Sequence, residues 1–339
     1  MRISYRTQQA LKRLMIILLC IVLVFALYLL FRYFHLARYV VYTRDGVQLQ
    51  YDLPATFPQG QQAQPTVPDD PVSIYYDDGN SFVDTSTELK QLSGYYIDAA
   101  ALEDISLVRS QLQALPAGTP VLVDVKSAYG NFYYSSGVGT ARSSSISASA
   151  MDSLISYLRS SNLYTIARLP ALRDYYYGLS HVSDGLEVKG GGYLWADKDY
   201  CYWLNPDSSG TINYLASIAL ELRNLGFDEV VFDDFCFPDT DKIAYSGDQT
   251  AALARAAETL VSTCATERFA ISFEGQNAAF PLPQGRCRLY LSDIPAANAE
   301  RVAAQTGLED PAVHLVFLTE FHDTRFDVYS VLRPLAAAH

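Results

Sequence analysis

The chain has little of what ordinarily holds metals or activates a serine. Its five histidines include no H-x-x-x-H pair, and no Cys/His spacing matches a zinc site, which needs ligands close together on a helix face or turn. There is no G-x-S-x-G elbow to present a nucleophilic serine. No glycine-rich phosphate loop follows the first strand-like run of the body, so the fingerprint of an open nucleotide-binding sheet is missing. No metal and no cofactor is therefore expected. Basic charge is scarce beyond the N-terminus: residues 1–44 hold seven of the 25 Lys/Arg and no acid, which leaves 18 bases against 37 acids in the rest. A body this acidic repels phosphate backbones and excludes nucleic acid as the main partner. Cysteine is sparse too. Apart from Cys20 there are Cys201, Cys236, Cys264 and Cys287; either Cys201 and Cys236 bridge, or all four are free thiols.

What is present begins with an apolar run. Residues 14–31 are apolar without interruption and are bracketed by Lys12-Arg13 and Arg32. At about 1.5 Å per residue a helix of that length approaches the roughly 30 Å hydrocarbon core of a bilayer. No small-x-small cleavage site follows it, so it reads as a single-pass anchor rather than a cleaved leader. Arg2, Arg6, Lys12 and Arg13 favour a cytoplasmic N-terminus over residues 1–13. Residues 32–71 form a juxtamembrane segment. In it, Tyr39 to Tyr51 alternates around Asp45-Gly46 and predicts a hairpin, and 52–71 carries five prolines with Gln and Gly and predicts a spacer. The body, 72–339, is then placed on the extracytoplasmic side of a cell membrane. Near its start, Tyr75-Tyr76-Asp77-Asp78-Gly79 resembles the TFDDG motif of polysaccharide deacetylases, but the His pair such enzymes need is missing.

From residue 92 strand-like and helical patterns alternate. Strands are predicted at 95–98, 121–125, 164–169, 230–233, 270–273, 288–291 and 314–318, with helices at 106–115, 149–159, 212–225, 248–265 and 296–304. Repeated βα units predict a parallel sheet, and residues 90–339 are about the length of a (β/α)8 TIM-like barrel. Seven strands are evident; the eighth is either Phe326–Val331 or the barrel is imperfect.

The organising stretch is GFDEVVFDDFCFP, 226–238: a helix stop, a short buried strand, then Asp233 and Asp234 where the strand ends. Other predicted strands also exit on charge: Asp98, Asp124 with Lys126, Arg168, Glu274, Asp293 and Glu320. In a parallel barrel all of these converge on one mouth, and facing carboxylates are what glycoside hydrolysis uses. Crowding raises the pKa of some of them and supplies an acid at neutral pH. The plainer reading is that strand-end carboxylates cap turns or pair with cations. A loop from Arg173 to Asn205 carries Tyr175, Tyr176, Tyr177, Tyr193, Trp195, Tyr200, Tyr202 and Trp203; flat amphipathic rings suit stacking on sugars, and they also serve to pack a loop down.

At these residues the chain resembles an uncharacterised bacterial family of glycoside hydrolase domains with a TIM-barrel fold. The family's GFDEIQFDYIRFP aligns with GFDEVVFDDFCFP and places its Asp on Asp233; DVK-x-x-x-G-x-x-x-Y matches Asp124, Val125, Lys126, Gly130 and Tyr134. Its IAR…KD matches Ile166, Ala167, Arg168, Arg173 and Asp174, and its W-x-D…W-x-NP matches Trp195, Asp197, Trp203, Asn205 and Pro206. Cys236 stands where the family has Arg, and Asp234 where it has Tyr. The chitinase-like GFDG-x-D-x-D-x-E acid has no counterpart, since Phe235 occupies its place. A fourth-strand Asp followed by a fifth-strand Glu resembles the order of nucleophile and acid in α-amylase-like barrels. The expected catalytic residues are Asp233 as nucleophile or base and Glu274 as acid, with Asp124 available for either role. Substrate contacts are expected from Asp98, Lys126, Tyr134, Arg168, Trp195, Trp203, Asn205, Asp234 and Glu320. The function expected is a membrane-anchored glycoside hydrolase acting on a carbohydrate polymer. Two alternatives stand beside it: a barrel that binds glycans or organises the envelope without turnover, and a hydrolase using the carboxylates to hold Mg²⁺ or Ca²⁺.

Overall fold

The structure, a computed structural model, describes residues 88–335 together with two short strands at 40–43 and 46–49. The chain divides into two units, residues 1–76 and 77–339. In the first, Val40–Thr43 and Gly46–Leu49 pair antiparallel with Val40 opposite Leu49 and Thr43 opposite Gly46, the hairpin the alternation predicts. The expected anchor at 14–31 and spacer at 52–71 lie outside the described residues. Among the described residues no helix is long and apolar enough to cross a membrane.

The second unit is a closed barrel of eight parallel strands: β1 Ser93–Ile97, β2 Pro120–Asp124, β3 Tyr164–Pro170, β4 Glu229–Asp233, β5 Ala270–Glu274, β6 Leu289–Ser292, β7 Leu315–Leu318 and β8 Ser330–Pro334, with β8 returning to pair with β1. The helices are α1 Ile105–Leu112, α2 Ala148–Ser160, α3 Tyr175–Ser180, α4 Ser209–Leu225, α5 Gln249–Cys264, α6 Ala299–Thr306 and the short α7 Pro311–His314. The eighth strand therefore exists, but it lies later than Phe326–Val331, because Val331 must pair with Ser93 to close the ring. The expected irregularity is present elsewhere: residues 275–288, between β5 and β6, contain no helix.

Local chemistry explains the element ends. Ser147, Ser208 and Asp248 accept backbone N–H groups at the starts of α2, α4 and α5, satisfying donors that a helix leaves open. Helix α4 buries Thr211, Tyr214, Leu215, Ile218, Ala219 and Leu222, a stripe at three- and four-residue spacing that lies against the barrel. Gly226 stops it at φ +100, where any Cβ would come within 2.8 Å of the Arg159 side chain. The next residues turn straight into β4. Asp228 accepts from the backbone N–H and the hydroxyl of Thr165 and so sets the level of β4 against β3.

The period of two along a strand decides what the barrel interior contains. Leu122, Ile166, Val231, Tyr290, Val316 and Leu332 pack together inside it. Two residues toward the N-terminal ends the interior turns polar: buried Glu229 accepts from Tyr164 at 2.8 Å, Ser272 at 2.5 Å and Tyr290 at 2.9 Å, and is paired with the Arg288 guanidinium. Two residues toward the other end, the same parity puts Asp124, Arg168, Asp233, Glu274 and Ser292 at the mouth.

Candidate active site

The mouth is organised by one guanidinium. Arg168 reaches across from β3 with Nε 2.7 Å from Asp124 Oδ1 and Nη2 3.2 Å from Asp124 Oδ2, a two-pronged pair fixed by the register that sets Arg168 beside Asp124. Its remaining nitrogen, Nη1, lies 3.4 Å from Glu274 Oε2. Asp124 also accepts the Ala99 N–H at 3.2 Å, so both of its oxygens are engaged. Burial works against the charge on Arg168, but Asp124, Glu274 and Asp233 outweigh it and hold its pKa above the ordinary value.

Asp233 ends β4 one step beyond the pairing of Phe232 with Phe273, so it sits beside Glu274 on the neighbouring strand. Asp234 donates its backbone N–H to Asp233 Oδ1 at 2.6 Å and adopts φ +48, the left-handed region that Asp tolerates better than bulkier residues. The environments separate these carboxyls. Burial, and then the charge of Asp233, push Glu274 up to about 7, against the opposing pull of Arg168 and a hydrogen bond from Ser292. The same two causes, in the same order, bring Asp234 to about 6. Burial also raises Asp124, with Arg168 opposing. A carboxylic acid that keeps its proton near neutrality, next to a second carboxylate, is the arrangement that acid–base chemistry requires.

Beside this cluster a cleft of about 600 Å³ opens over β1, β6 and β7, with Arg168 in its wall. Asp98, Asp293, Glu320, Tyr96 and Phe321 line it, as does Thr319, whose Oγ1 has no hydrogen-bond partner among the described residues. Asp98 and Glu320 are thus placed at the mouth as expected. Sequence reasoning left Tyr96, Ser292, Thr319 and Phe321 out of the site. Asp293, noted only as a strand exit, carries the one retrievable signal: like Asp234 it follows a strand end and takes a positive φ, +58.

Several expected substrate contacts lie elsewhere. Lys126 is 2% exposed, and its Nζ bonds Asp174 Oδ2 at 2.9 Å with neither side chain reaching solvent. Asp174 is further held by the Tyr214 hydroxyl at 2.9 Å and by the Tyr177 N–H at 2.8 Å. The pair is an internal clamp, and Lys126 is corrected from a substrate contact to a part of the frame. Tyr134 is corrected likewise: it is 1% exposed and donates to Glu221 of α4 at 2.8 Å. Trp203 is 7% exposed, and its Nε1 donates to Asp197 Oδ2 at 3.1 Å, so it also packs the loop. Asn205 makes a turn by accepting the Asp207 N–H at 3.0 Å. Trp195 remains partly exposed, tilted against Trp203 at 6.4 Å. Cys201, Cys236, Cys264 and Cys287 are all free, so the bridge between the first two is not formed.

The long loop is folded rather than loose. Arg173 bonds Asp197 at 2.5 Å and Asp199 at 2.7 Å, and its third nitrogen comes within 4.0 Å of Asp234. Backbone bridges join Arg173 to Trp203, Gly185 to Leu204, Glu187 to Leu194 and Ala196 to Tyr202. Among the described residues no group of three or more His, Cys, Asp or Glu side chains is arranged to hold a metal ion.

A family model described as "Putative glycosyl hydrolase domain" matches residues 94–270. Among solved structures, TtGalA, an α-galactosidase from Thermus thermophilus, aligns with a TM-score of 0.50 at 12% identity, covering 74% of this chain and 59% of its own. The GH36 α-galactosidase AgaA from Geobacillus stearothermophilus aligns with a TM-score of 0.50 at 12% identity, covering 73% of this chain and 39% of its own. A hypothetical protein from Ruminiclostridium thermocellum is 20% identical over 52% of this chain and 96% of its own, with a TM-score of 0.45. The two galactosidases share the barrel fold with this chain, which spans little more than half of one and well under half of the other. No curated protein matches.

Proposed function

The chain belongs to the family of glycosyl hydrolase domains whose model matches residues 94–270, and from that premise we propose a glycoside hydrolase that cleaves a polysaccharide or cell-envelope glycan between Glu274 and Asp233. The observation that carries this reading is Glu274: buried at the barrel mouth beside Asp233, its carboxyl is raised to about 7, so a substantial fraction stays protonated at neutral pH. Glu274 gives that proton to the glycosidic oxygen as the bond to the anomeric carbon breaks. Asp233 either attacks the anomeric carbon or takes a proton from the water that does. Asp124, with both oxygens occupied by Arg168 and Ala99, acts as the anchor of that arginine rather than as a base. Asp98 and Glu320 supply hydroxyl acceptors in the cleft, and Asp234 supplies one beside Asp233.

The same proposal includes the anchor. The apolar run at 14–31 and its flanking bases support a single membrane pass, and the proline-rich 52–71 supports a spacer that holds the barrel off an extracytoplasmic membrane face. Protease accessibility of the barrel in sealed cells tests this part: digestion only after lysis would overturn it.

The full chain, assayed for reducing ends on a panel of cell-wall, plant and host glycans beside Asp233→Asn, tests the chemistry. Release that disappears in the variant is the expected result; equal release by both proteins would remove Asp233 from the reaction. A second reading, glycan binding without turnover, draws on Cys236, which stands where the family has Arg and accepts a hydrogen bond from the Gln276 amide at 3.1 Å. Loss of that guanidinium removes a two-pronged donor for a substrate oxygen. Binding without release, identical in both proteins, would favour it.

A further inference from the structure

Not all the tyrosines of the long loop and of the turn at Tyr129 beside it are packed away, and three of those that remain outside form a pattern. Tyr177 lies 3.9 Å from Tyr214 in a stack and is tied to Asp184, so it serves the interior. Tyr129, Tyr176 and Tyr200, by contrast, are 43%, 44% and 75% exposed. Tyr129 and Tyr176 flank Tyr175, with ring centroids 6.0 and 5.2 Å from it, and Tyr175 is backed by Tyr202 in a near-parallel stack at 5.4 Å. Tyr129 and Tyr176 are held in place while staying in solvent. The Tyr129 hydroxyl donates to the Asp199 carbonyl at 2.7 Å, and the Tyr176 N–H donates to the Tyr129 carbonyl at 3.2 Å. Tyr200, next to Asp199, adopts φ +62. A bulky residue in the left-handed region is strained, and here the strain also presents a large ring to water, so neither backbone preference nor burial accounts for it.

We infer that Tyr129, Tyr176 and Tyr200 form a preorganised platform that binds the pyranose rings of a glycan chain beyond the cleavage point, so that the protein acts on polymers within the chain rather than on terminal sugars alone. This rests on the glycoside hydrolase reading for the identity of the ligand. Pyranose rings present apolar C–H faces rimmed by hydroxyls, and tyrosine offers an apolar face with a polar edge. The steps from Tyr129 and Tyr176 to the Tyr175 ring between them, 6.0 and 5.2 Å, are about one sugar ring in length. Because the Tyr129 and Tyr176 rings are already held by the Asp199 carbonyl and by contact with the Tyr175–Tyr202 stack, they have little freedom left to lose on binding. The platform is connected to the carboxylate cluster through Arg173, which grips Asp199 at 2.7 Å and approaches Asp234, the neighbour of Asp233, at 4.0 Å. A chain lying on it is therefore directed toward the mouth.

The test uses the full chain carrying Asp233→Asn, so that cleavage does not consume the ligand, and measures binding to immobilised glycol chitin, glycol chitosan, hydroxyethyl cellulose and xylan. Tyr176→Ala removes one ring, and Tyr200→Asn removes another while keeping a residue that tolerates the left-handed turn. At least one polymer is expected to bind, and each substitution to weaken it by about tenfold without lowering Tm. Binding that neither substitution changes, or no binding to any of the four, would overturn the platform. The hydrolase reading fails separately: a wild-type chain that binds through these tyrosines and releases no reducing ends keeps the platform and loses the chemistry.

Discussion

Arg168 holds its Nη1 3.4 Å from the Oε2 of Glu274 while its other nitrogens are committed to Asp124. One planar side chain thus fixes the distance between two strands' carboxylates and partly offsets the burial that keeps Glu274 protonated. Lysine has a single charged nitrogen and cannot hold both partners.

Replacing Arg168 with Lys is therefore expected to move the pH profile as well as the rate. Glu274 loses an opposing positive charge at close range, its pKa climbs above about 7, and the alkaline limb of the activity profile shifts to higher pH. The rate falls by about a hundredfold as the carboxyls lose their alignment. A profile measured from pH 5 to 9 checks both; an unmoved alkaline limb would show that Arg168 does not govern the acid.

Asp233→Asn is expected to lower turnover by at least about a thousandfold while leaving the fold intact. Because the charge of Asp233 is the second cause of the Glu274 shift, its removal lets Glu274 ionise more easily. The variant should then be more stable than the parent near pH 7, read as a higher Tm there and a smaller difference at pH 4.

Stability itself should depend on pH through Glu274 and Asp234. Both carboxyls are raised in the folded chain, to about 7 and about 6, so folding binds their protons more tightly than the unfolded chain does. Their contribution is complete below the unfolded carboxyl range of about 4 and is lost as pH rises toward 7. Glu274→Gln removes the larger part of that slope. Denaturant midpoints at pH 4.5 and 7.5 measure it, and an equal slope in the variant would contradict the raised carboxyl.

Lys126→Met leaves Asp174 charged and buried with its ionic partner gone, a defect that typically costs about 3–5 kcal/mol. Adding Asp174→Asn to the same chain is expected to restore much of the loss, since it removes the orphaned charge. A double variant no better than the single one would mean that the Tyr214 and Tyr177 bonds to Asp174, not the ion pair, set the cost.

The charged rim of the mouth is legible in the sequence because strand parity is strict. A buried run such as Val230 to Phe232 ends in Asp233, and Ile166 two residues before Arg168 already sits in the barrel interior, so both charges had to face inward. Parity stops with the strand. Lys126 lies two residues beyond β2, where the chain bridges to Phe132, and its partner Asp174 is 48 positions away. Nothing local distinguishes a lysine that enters the mouth from one that goes beneath it. Tyr134 failed for the same reason, its partner Glu221 being on a helix 87 positions on. The cleft wall at Thr319 and Phe321 was hidden because it is built from the loop after β7, which has no periodicity to read. The displaced β8 shows a different limit: where a barrel closes is set by pairing with Ser93, a contact across almost the entire domain.

The polar layer beneath the apolar belt has one more consequence. Glu229, fastened by Arg288, Tyr164, Ser272 and Tyr290, corks the far end of the barrel, with the apolar belt lying above it. Among the described residues the barrel is thus stoppered at that end, so under the proposed hydrolysis a sugar would enter and leave at the mouth, and the proton that Glu274 would give up would be replenished there as well.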